Sequence, residues 1–387
     1  LEIYGNANED DTIDMRDLTY VKLIFFGKKP ETELADAKYD GKINPLDFIQ
    51  IKLIIVGKEK ELTIVDSADR IVTVKKPVER IVPLTTYYCE GIRTLRAKDR
   101  IVGITDITKK ETLYFPEISK LPSTGEYPYD AEAILSLNPD LVIVGPWSCK
   151  KLDEKLPDNI NLLCIYLYRP DCFVEELKKL GYILDRKEEA EEFIDFYQGW
   201  MGTINERVKG LSEEDKPKVY LEGGKSYHTF GGGTSYDKKL ATAGGNNIFS
   251  DLSGSLDVDP EEVMMRNPEI IVKKPYKLLE YHLDGYHLDD TTKLEELRDE
   301  MMSRVELQKV TAVKKGKVYV LTNCIIGDTR HFIGIGYMAK WFHPELFKDL
   351  DPTAIHQEYL TRFQGLDYNL DEHGVFVYHP EEHPEGH

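Results

Sequence analysis

The sequence predicts an α/β protein of two similar lobes joined by a long helix and preceded by a small helical unit. Three observations carry this prediction. A fifteen-residue phrase occurs twice, as Asp130 to Val144 and as Asp259 to Lys273. Between the copies, residues 187–211 place Ala190, Phe193, Ile194, Tyr197, Trp200, Met201 and Ile204 at helical spacing. Residues 1–60 hold a second, unrelated repeat rich in acidic and amide side chains.

In the opening unit, Asn6, Asn8, Asp10, Thr12 and Asp17 recur as Asp36, Lys38, Asp40, Lys42 and Asp47, and each copy runs into an amphipathic helix, 18–26 or 48–56. Oxygen donors at loop positions 1, 3, 5, 7 (through the backbone) and 12 suit calcium, which takes about six to eight oxygens at flexible geometry. Loop 1 therefore offers Asn6, Asn8, Asp10, Thr12 and Asp17, and loop 2 offers Asp36, Asp40, Lys42 and Asp47. Two departures weaken the pattern. Asp11 stands where the turn glycine belongs and would adopt a left-handed backbone. Lys38 cannot ligate a cation, so loop 2 is either a weak site or closed by Lys38 pairing with Asp36 and Asp40. Without calcium, both copies would be an acidic helical hairpin with solvated loops.

Next comes a hairpin pattern from Leu62 to Val74, followed by alternating strands and helices. Strands are expected at 80–84, 101–105, 141–144 and 162–167 in the first lobe, and at 218–222, 270–273 and 317–321 in the second. In each copy of the repeated phrase an Asp caps a helix, Glu fills its first turn, Asn-Pro stops it, and an apolar run follows. Such a run suits a parallel strand covered on both faces, so each lobe is expected to be Rossmann-like. The helix over 187–211 would be a strut of roughly 35–40 Å at 1.5 Å per residue, permitting only small hinge motion. The expected organisation is 1–60, 61–186, the helix 187–211, 212–370, and an acidic, His-containing tail 371–387 that wraps the surface and then frays.

The totals exclude several classes. With 50 basic and 69 acidic residues among 387, the net charge of −19 argues against nucleic acid or an anionic membrane as partner. No window approaches a membrane-spanning run. Leu1 is not a natural initiator, so an export signal or anchor is expected upstream. The five cysteines lack zinc spacing. Cys164 and Cys172 could be bridged. Cys89, Cys149 and Cys324 fall in predicted loops, either as a thiolate metal site or, more commonly for free cysteine, as small buried hydrophobes. No phosphate loop, His-Glu-x-x-His or Gly-x-Ser-x-Gly is present, so an enzyme is not expected.

The paired loops with Asp at position 12 resemble dockerin repeats, which implies bound calcium and a cohesin-like partner. The hairpin, Val78 to Leu84, Ser136 to Val144, the mid-chain helix and Ala243 to Phe249 follow one another in an order that resembles the class III substrate-binding proteins of ATP-binding-cassette importers. That resemblance, over about 62–350, implies an extracytoplasmic, monomeric receptor for a ferric siderophore, haem or cobalamin-like chelate, handed to a permease. It also implies that Glu132 and Glu261, each seven residues before the proline of its phrase, dock on permease arginines. Dipole compensation at two helix N-termini would place glutamates there as well. The competing function is a surface assembly or sensing component acting through residues 1–60.

Ligands of open parallel sheets bind beyond the carboxyl ends of the strands, so facing lobes would form a cleft. The loops expected to line it carry Tyr87, Tyr88, Glu126, Tyr127 and Trp147 from the first lobe, and Tyr227, His228, Phe230, Tyr276, Arg330 and His331 from the second. Tyr and Trp present rigid faces with a polar edge, suited to a macrocycle or catecholate chelate. The resemblance implies stacking by Trp147. Arg330 could fork onto a carboxylate, and His331 or His228 could ligate metal or donate a hydrogen bond.

Overall fold

Both copies of the repeated phrase fold as a short helix delivering the chain into a fully buried strand, in a computed structural model that describes residues 1–157, 159–275 and 285–387. Contacts divide the chain into two units. Unit 1 comprises Leu1–Lys109, Glu117–Leu167 and Cys172–Ile194, and unit 2 comprises Lys110–Pro116, Tyr168–Asp171 and Asp195–His387. Residues 110–116 and 168–171, expected in the first lobe, thus group with the second.

Unit 1 begins with helices α1 (Met15–Phe25) and α2 (Pro45–Ile55), which start three residues earlier than expected. Asp14 and Asn44 are their N-caps, each in a capping box closed by Asp17 or Asp47, so the last presumed calcium ligand of each loop already lies in a helical turn. The hairpin β1 (Glu61–Val65) and β2 (Ile71–Lys75) follows with Leu62 opposite Val74. The opening residues are bonded into it: Tyr4 N donates to Thr63 O, Val65 N to Glu2 O, and Ile3 bridges Ile64. After β3 (Ile81–Pro83), α3 (Thr86–Thr94) and α4 (Asp106–Lys110) come α5 (Ala131–Ser136), β4 (Leu141–Val144), α6 (Pro146–Asp153), β5 (Asn161–Cys164) and α7 (Phe173–Ile183). The sheet is parallel in the order β3-β4-β5. The strand expected at 101–105 is reduced to single bridges, Ile81 with Ile101 and Ile104 with Ser123.

Helix α8 (Lys187–Lys209) starts in unit 1 and ends in unit 2. All seven apolar positions read from its spacing are buried. In unit 1 Phe193 meets Phe173 edge-on, and in unit 2 Trp200 donates its indole N–H to Phe332 O.

Unit 2 contains β6 (Lys218–Glu222), β7 (His228–Phe230), α9 (Ser235–Thr242), β8 (Asn246–Asn247), β9 (Ser255–Asp257), α10 (Pro260–Arg266), β10 (Ile270–Lys273), α11 (Thr292–Ser303), α12 (Thr311–Lys314), β11 (Val318–Leu321), α13 (His331–Phe342), α14 (Pro352–Glu358) and β12 (Val377–Tyr378). Its main sheet runs β12-β11-β10-β6-β8, parallel except for β12. The tail expected to fray instead supplies that antiparallel edge strand, with Val375, Phe376 and Val377 buried, because its apolar residues complete the core beside Leu288 and Leu294.

The repeat shows what the phrase does physically. Asn138 and Asn267 adopt φ of 45° and 44°, the left-handed turn that Asn tolerates, and the following proline prevents further helix. Asp130 caps α5 by accepting from the backbone of Glu132 and Ala133, whereas Asp259 makes no side-chain cap bond. Pro260 at the first helical position of α10 has no N–H to satisfy.

Candidate functional site

In unit 1 the chain turns from β4 directly into α6, with Gly145 as N-cap and Pro146 at the first helical position. Trp147 is 53% exposed, and its ring folds back so closely that a Cβ on Gly145 would lie 2.1 Å from it. Tyr166 lies 6.3 Å away at a 31° tilt. Tyr127 is also 53% exposed, with Lys151 Nζ donating to its hydroxyl at 3.2 Å. Glu126 is half-buried and accepts from the backbone N–H of Ile107. Tyr87 and Tyr88 lie on α3 rather than in a loop. Tyr88 is fully buried with its hydroxyl donating to Ile165 O, because α3 packs Ile92 and Leu95 into the same core.

Cys149 on α6 is disulfide-bonded to Cys164 at the end of β5, so the bridge joins neither Cys172 nor a metal. Asp66 and Arg70 surround it, with Arg70 Nη2 donating to Asp66 at 2.8 Å and to Cys164 Sγ at 3.4 Å. Cys89 and Cys324 are buried thiols, burial pushing Cys89 up to about 12, and among the described residues neither joins a group of three metal-ligating side chains, so the three cysteines expected together do not gather.

In unit 2 the segment after β6 is held by a buried charge cluster. Glu222 accepts from Lys273 Nζ at 2.7 Å, from both Arg304 Nη atoms at 2.7 and 2.9 Å, and from Tyr227 N at 2.8 Å. Burial alone would raise the Glu222 carboxyl, but Arg304 and Lys273 outweigh it and hold it below its ordinary value. Tyr227, at φ 58°, lies under the Arg304 guanidinium. His228 has both ring nitrogens engaged, Nδ1 with Asp257 and Nε2 with Ser255, each at 2.7 Å, so metal ligation would cost both bonds. Phe230 faces Tyr236 at 4.3 Å. The segment expected as a loop over 323–331 ends in α13, and His331 is fully buried, bonded to Tyr197 and Asp328 O. Burial, and then the Lys239 charge, push its imidazole well below its ordinary value. Arg330 lies 3.9 Å over the ring of Tyr114, beside Asp328. Tyr276 lies outside the described residues. The sequence reading passed over Lys239 and Tyr236, since nothing in the sequence places them beside Lys274 at the end of an apolar strand.

Glu132 and Glu261 are both exposed in the first turns of α5 and α10, the equivalent helices of the two copies.

The loops of residues 1–60 match each other closely. Asp17 accepts from Asn8 N and Asp14 N, and Asp47 from Lys38 N and Asn44 N. Burial raises both carboxyls. The left-handed residues are Glu9 and Tyr39, with Gly41, and not Asp11. Lys38 turns away to pair with Glu61 instead of Asp36 and Asp40, whose loop is closed by Asp40 N and Gly41 N donating to Asp36. Asn44 Nδ2 donates to the Lys42 carbonyl, the presumed ligand of loop 2. In loop 1, Arg16 clamps Asp10, Asp14 and Thr12 from outside. Asn6 is fully buried, and its Oδ1 has no hydrogen-bond partner among the described residues.

The periplasmic binding protein family profile matches residues 81–324. Among curated proteins, the chain is 23% identical over 296 residues to the uncharacterized ABC transporter substrate-binding lipoprotein YvrC of Bacillus subtilis, covering 74% of this chain and 87% of that one. It is 20% identical over 341 residues to the molybdate-binding protein MolA of Haemophilus influenzae, covering 80% and 92%. Among solved structures, the TroA-like periplasmic binding protein FepB of Veillonella parvula superposes with a TM-score of 0.68 at 24% identity, covering 82% of this chain and 99% of that one.

Proposed function

The chain belongs to the periplasmic binding protein family, and from that premise we propose that it is the extracytoplasmic substrate receptor of an ABC importer, capturing a metal chelate and presenting it to a permease. The observation that carries the delivery half is the matched pair Glu132 and Glu261, exposed at the same turn of equivalent helices. Exposed ion pairs contribute about 0–1 kcal/mol singly, so the glutamates orient and speed docking more than they hold it. Within unit 1, Trp147 and Tyr127 are exposed aromatic side chains suited to a cargo of ferric siderophore, haem or cobalamin type, and within unit 2 Tyr227 and Phe230 are the aromatic candidates. Glu126 in unit 1, and His228 and Arg330 in unit 2, are the polar candidates of each unit, whereas Tyr87, Tyr88 and His331 are buried.

Two measurements test this. A thermal-shift panel with haem, cobalamin, ferric siderophores and molybdate should give a clear shift with one class, since a ligand at one hundred times its Kd stabilises by about 2.7 kcal/mol. In cells relying on the doubly reversed Glu132→Lys, Glu261→Lys protein, uptake of that cargo should collapse while binding in vitro is kept. Undiminished uptake would remove the docking role.

A second reading gives residues 1–60 a calcium-dependent, dockerin-like role with a cohesin-like partner. It is favoured by the buried Asn6 Oδ1, which has no hydrogen-bond partner among the described residues, and by the burial that raises both position-12 carboxyls, each of which a cation would offset. Calcium should raise the melting temperature of the wild type and not of Asp10→Ala. Equal melting with calcium and with chelator would dismiss it.

A further inference from the structure

Unit 2 contains a buried lysine that forms no ion pair among the described residues. Lys239 on α9 is 1% exposed and donates from Nζ to Ile326 O at 2.7 Å. Its Nζ also lies over two rings, Tyr236 at 4.9 Å and Tyr168 at 5.6 Å. Among the described residues it forms no ion pair. An ammonium has three donors, and burying it with one acceptor is costly. Lys274, at the carboxyl end of β10, is 3% exposed and reaches the same ring from 4.6 Å. It donates to Tyr236 Oη at 3.0 Å and Asn323 Oδ1 at 2.9 Å. Burial, and then the Lys274 charge, pushes Lys239 well below its ordinary value. Asp328 and Asp171 oppose that shift without reversing it. Three separate segments, those after β10 and β11 and helix α9, thus bring two lysines, a phenol and an amide to one aromatic ring at the carboxyl end of a parallel sheet, where ligands of open α/β sheets bind.

We propose that Lys239 and Lys274, with Tyr236 and Asn323, form the receptor for an anionic oxygen group of the cargo, such as a carboxylate, a catecholate or an inorganic oxyanion. This rests on the receptor reading above and names the charge class of its ligand. An oxyanion supplies the acceptors that Lys239 lacks and separates two like charges, while Phe230, Tyr236 and Tyr168 accept a flat organic part. An uncharged or cationic chelate would leave both ammonium groups as they are.

The test is tryptophan fluorescence titration of the full chain with four probes: sodium molybdate, ferric citrate, a ferric tris-catecholate and the cationic hydroxamate complex ferrioxamine. The wild type should prefer one or more of the anionic probes. Molybdate alone would name an inorganic oxyanion, and citrate or catecholate an organic chelate. Lys274→Met and Lys239→Met should each weaken that binding at least tenfold, Lys274→Arg should retain most of it, and urea midpoints should stay unchanged or rise because a buried charge is removed. If Lys239→Met does not fold, Lys274→Met against Lys274→Arg decides. Wild-type affinity in both methionine variants, or a preference for ferrioxamine, would overturn the proposal and leave the receptor reading intact. A wild type that binds none of the four and shifts with nothing in the wider chelate panel would overturn both.

Discussion

Replacing Glu222 by Gln should cost unit 2 about 3 kcal/mol of stability, the lower end of the roughly 3–5 kcal/mol for removing one partner of a buried ion pair. The lower end applies because neither cation is left wholly bare. Arg304 keeps Glu300 at 2.7 Å, and Lys273 keeps Gly223 O at 2.7 Å. Glutamine preserves the shape and can still accept from Tyr227 N, so the loss isolates charge. Against a total of about 5–15 kcal/mol for a domain, this is a large fraction. Unit 2 holds Trp200 and Trp341 and unit 1 holds Trp147, so in a Trp147→Phe background urea unfolding followed by tryptophan emission reads unit 2 alone. Adding Lys273→Met to Glu222→Gln should restore at least about 1 kcal/mol, since it removes the stranded ammonium. Because Glu222 accepts from Tyr227 N and its partner Lys273 donates to Gly223 O, the single variant should also weaken cargo binding where it remains folded. A loss below about 1 kcal/mol would refute the premise that this cluster holds the segment, since that is the scale of an ordinary hydrogen bond.

The same carboxyl predicts an acid limb. Its folded-state pKa lies below the unfolded value of about 4.3, so its contribution is complete above that value and is lost as pH falls through the folded pKa. Urea midpoints of the wild type should drop below about pH 4.3 more steeply than those of Glu222→Gln, and parallel profiles would count against the argument. Reducing the Cys149–Cys164 bridge, or replacing both residues by Ser, should cost about 3 kcal/mol, the loop-closure entropy of its 15-residue separation, seen as a lower urea midpoint for unit 1. Tyr182→Phe leaves the Ile13 N–H, now bonded to the phenol at 3.0 Å, without its acceptor and should destabilise unit 1 by about 1–2 kcal/mol. An unchanged midpoint would show that the first loop is not anchored to α7.

That last contact marks where local reasoning ends. The helix–strand phrase, the apolar face of α8 and the paired loops were legible in the sequence because each depends on neighbours a few residues away: a period, a cap, an Asn-Pro stop. Helix α3 was missed because Thr85 to Glu90 has the composition of a loop, and only the core against Ile165 draws Tyr88 inward. The tail became a strand because an edge of β11 was open to it, a fact of the sheet and not of the tail. Lys38 was read against its own loop, yet its partner is Glu61 on the next element.

By itself, then, the sequence determined the α/β class, the repeated helix–strand phrase and the apolar face of α8, all set by short-range periodicity and capping. Tertiary structure alone decided which side chains are available to a ligand. It buried His331, engaged both nitrogens of His228, bridged Cys149 to Cys164, and set Lys239 and Lys274 on one tyrosine ring. Burial and charge pairing depend on residues far apart in the chain, and no local pattern encodes which of them will meet.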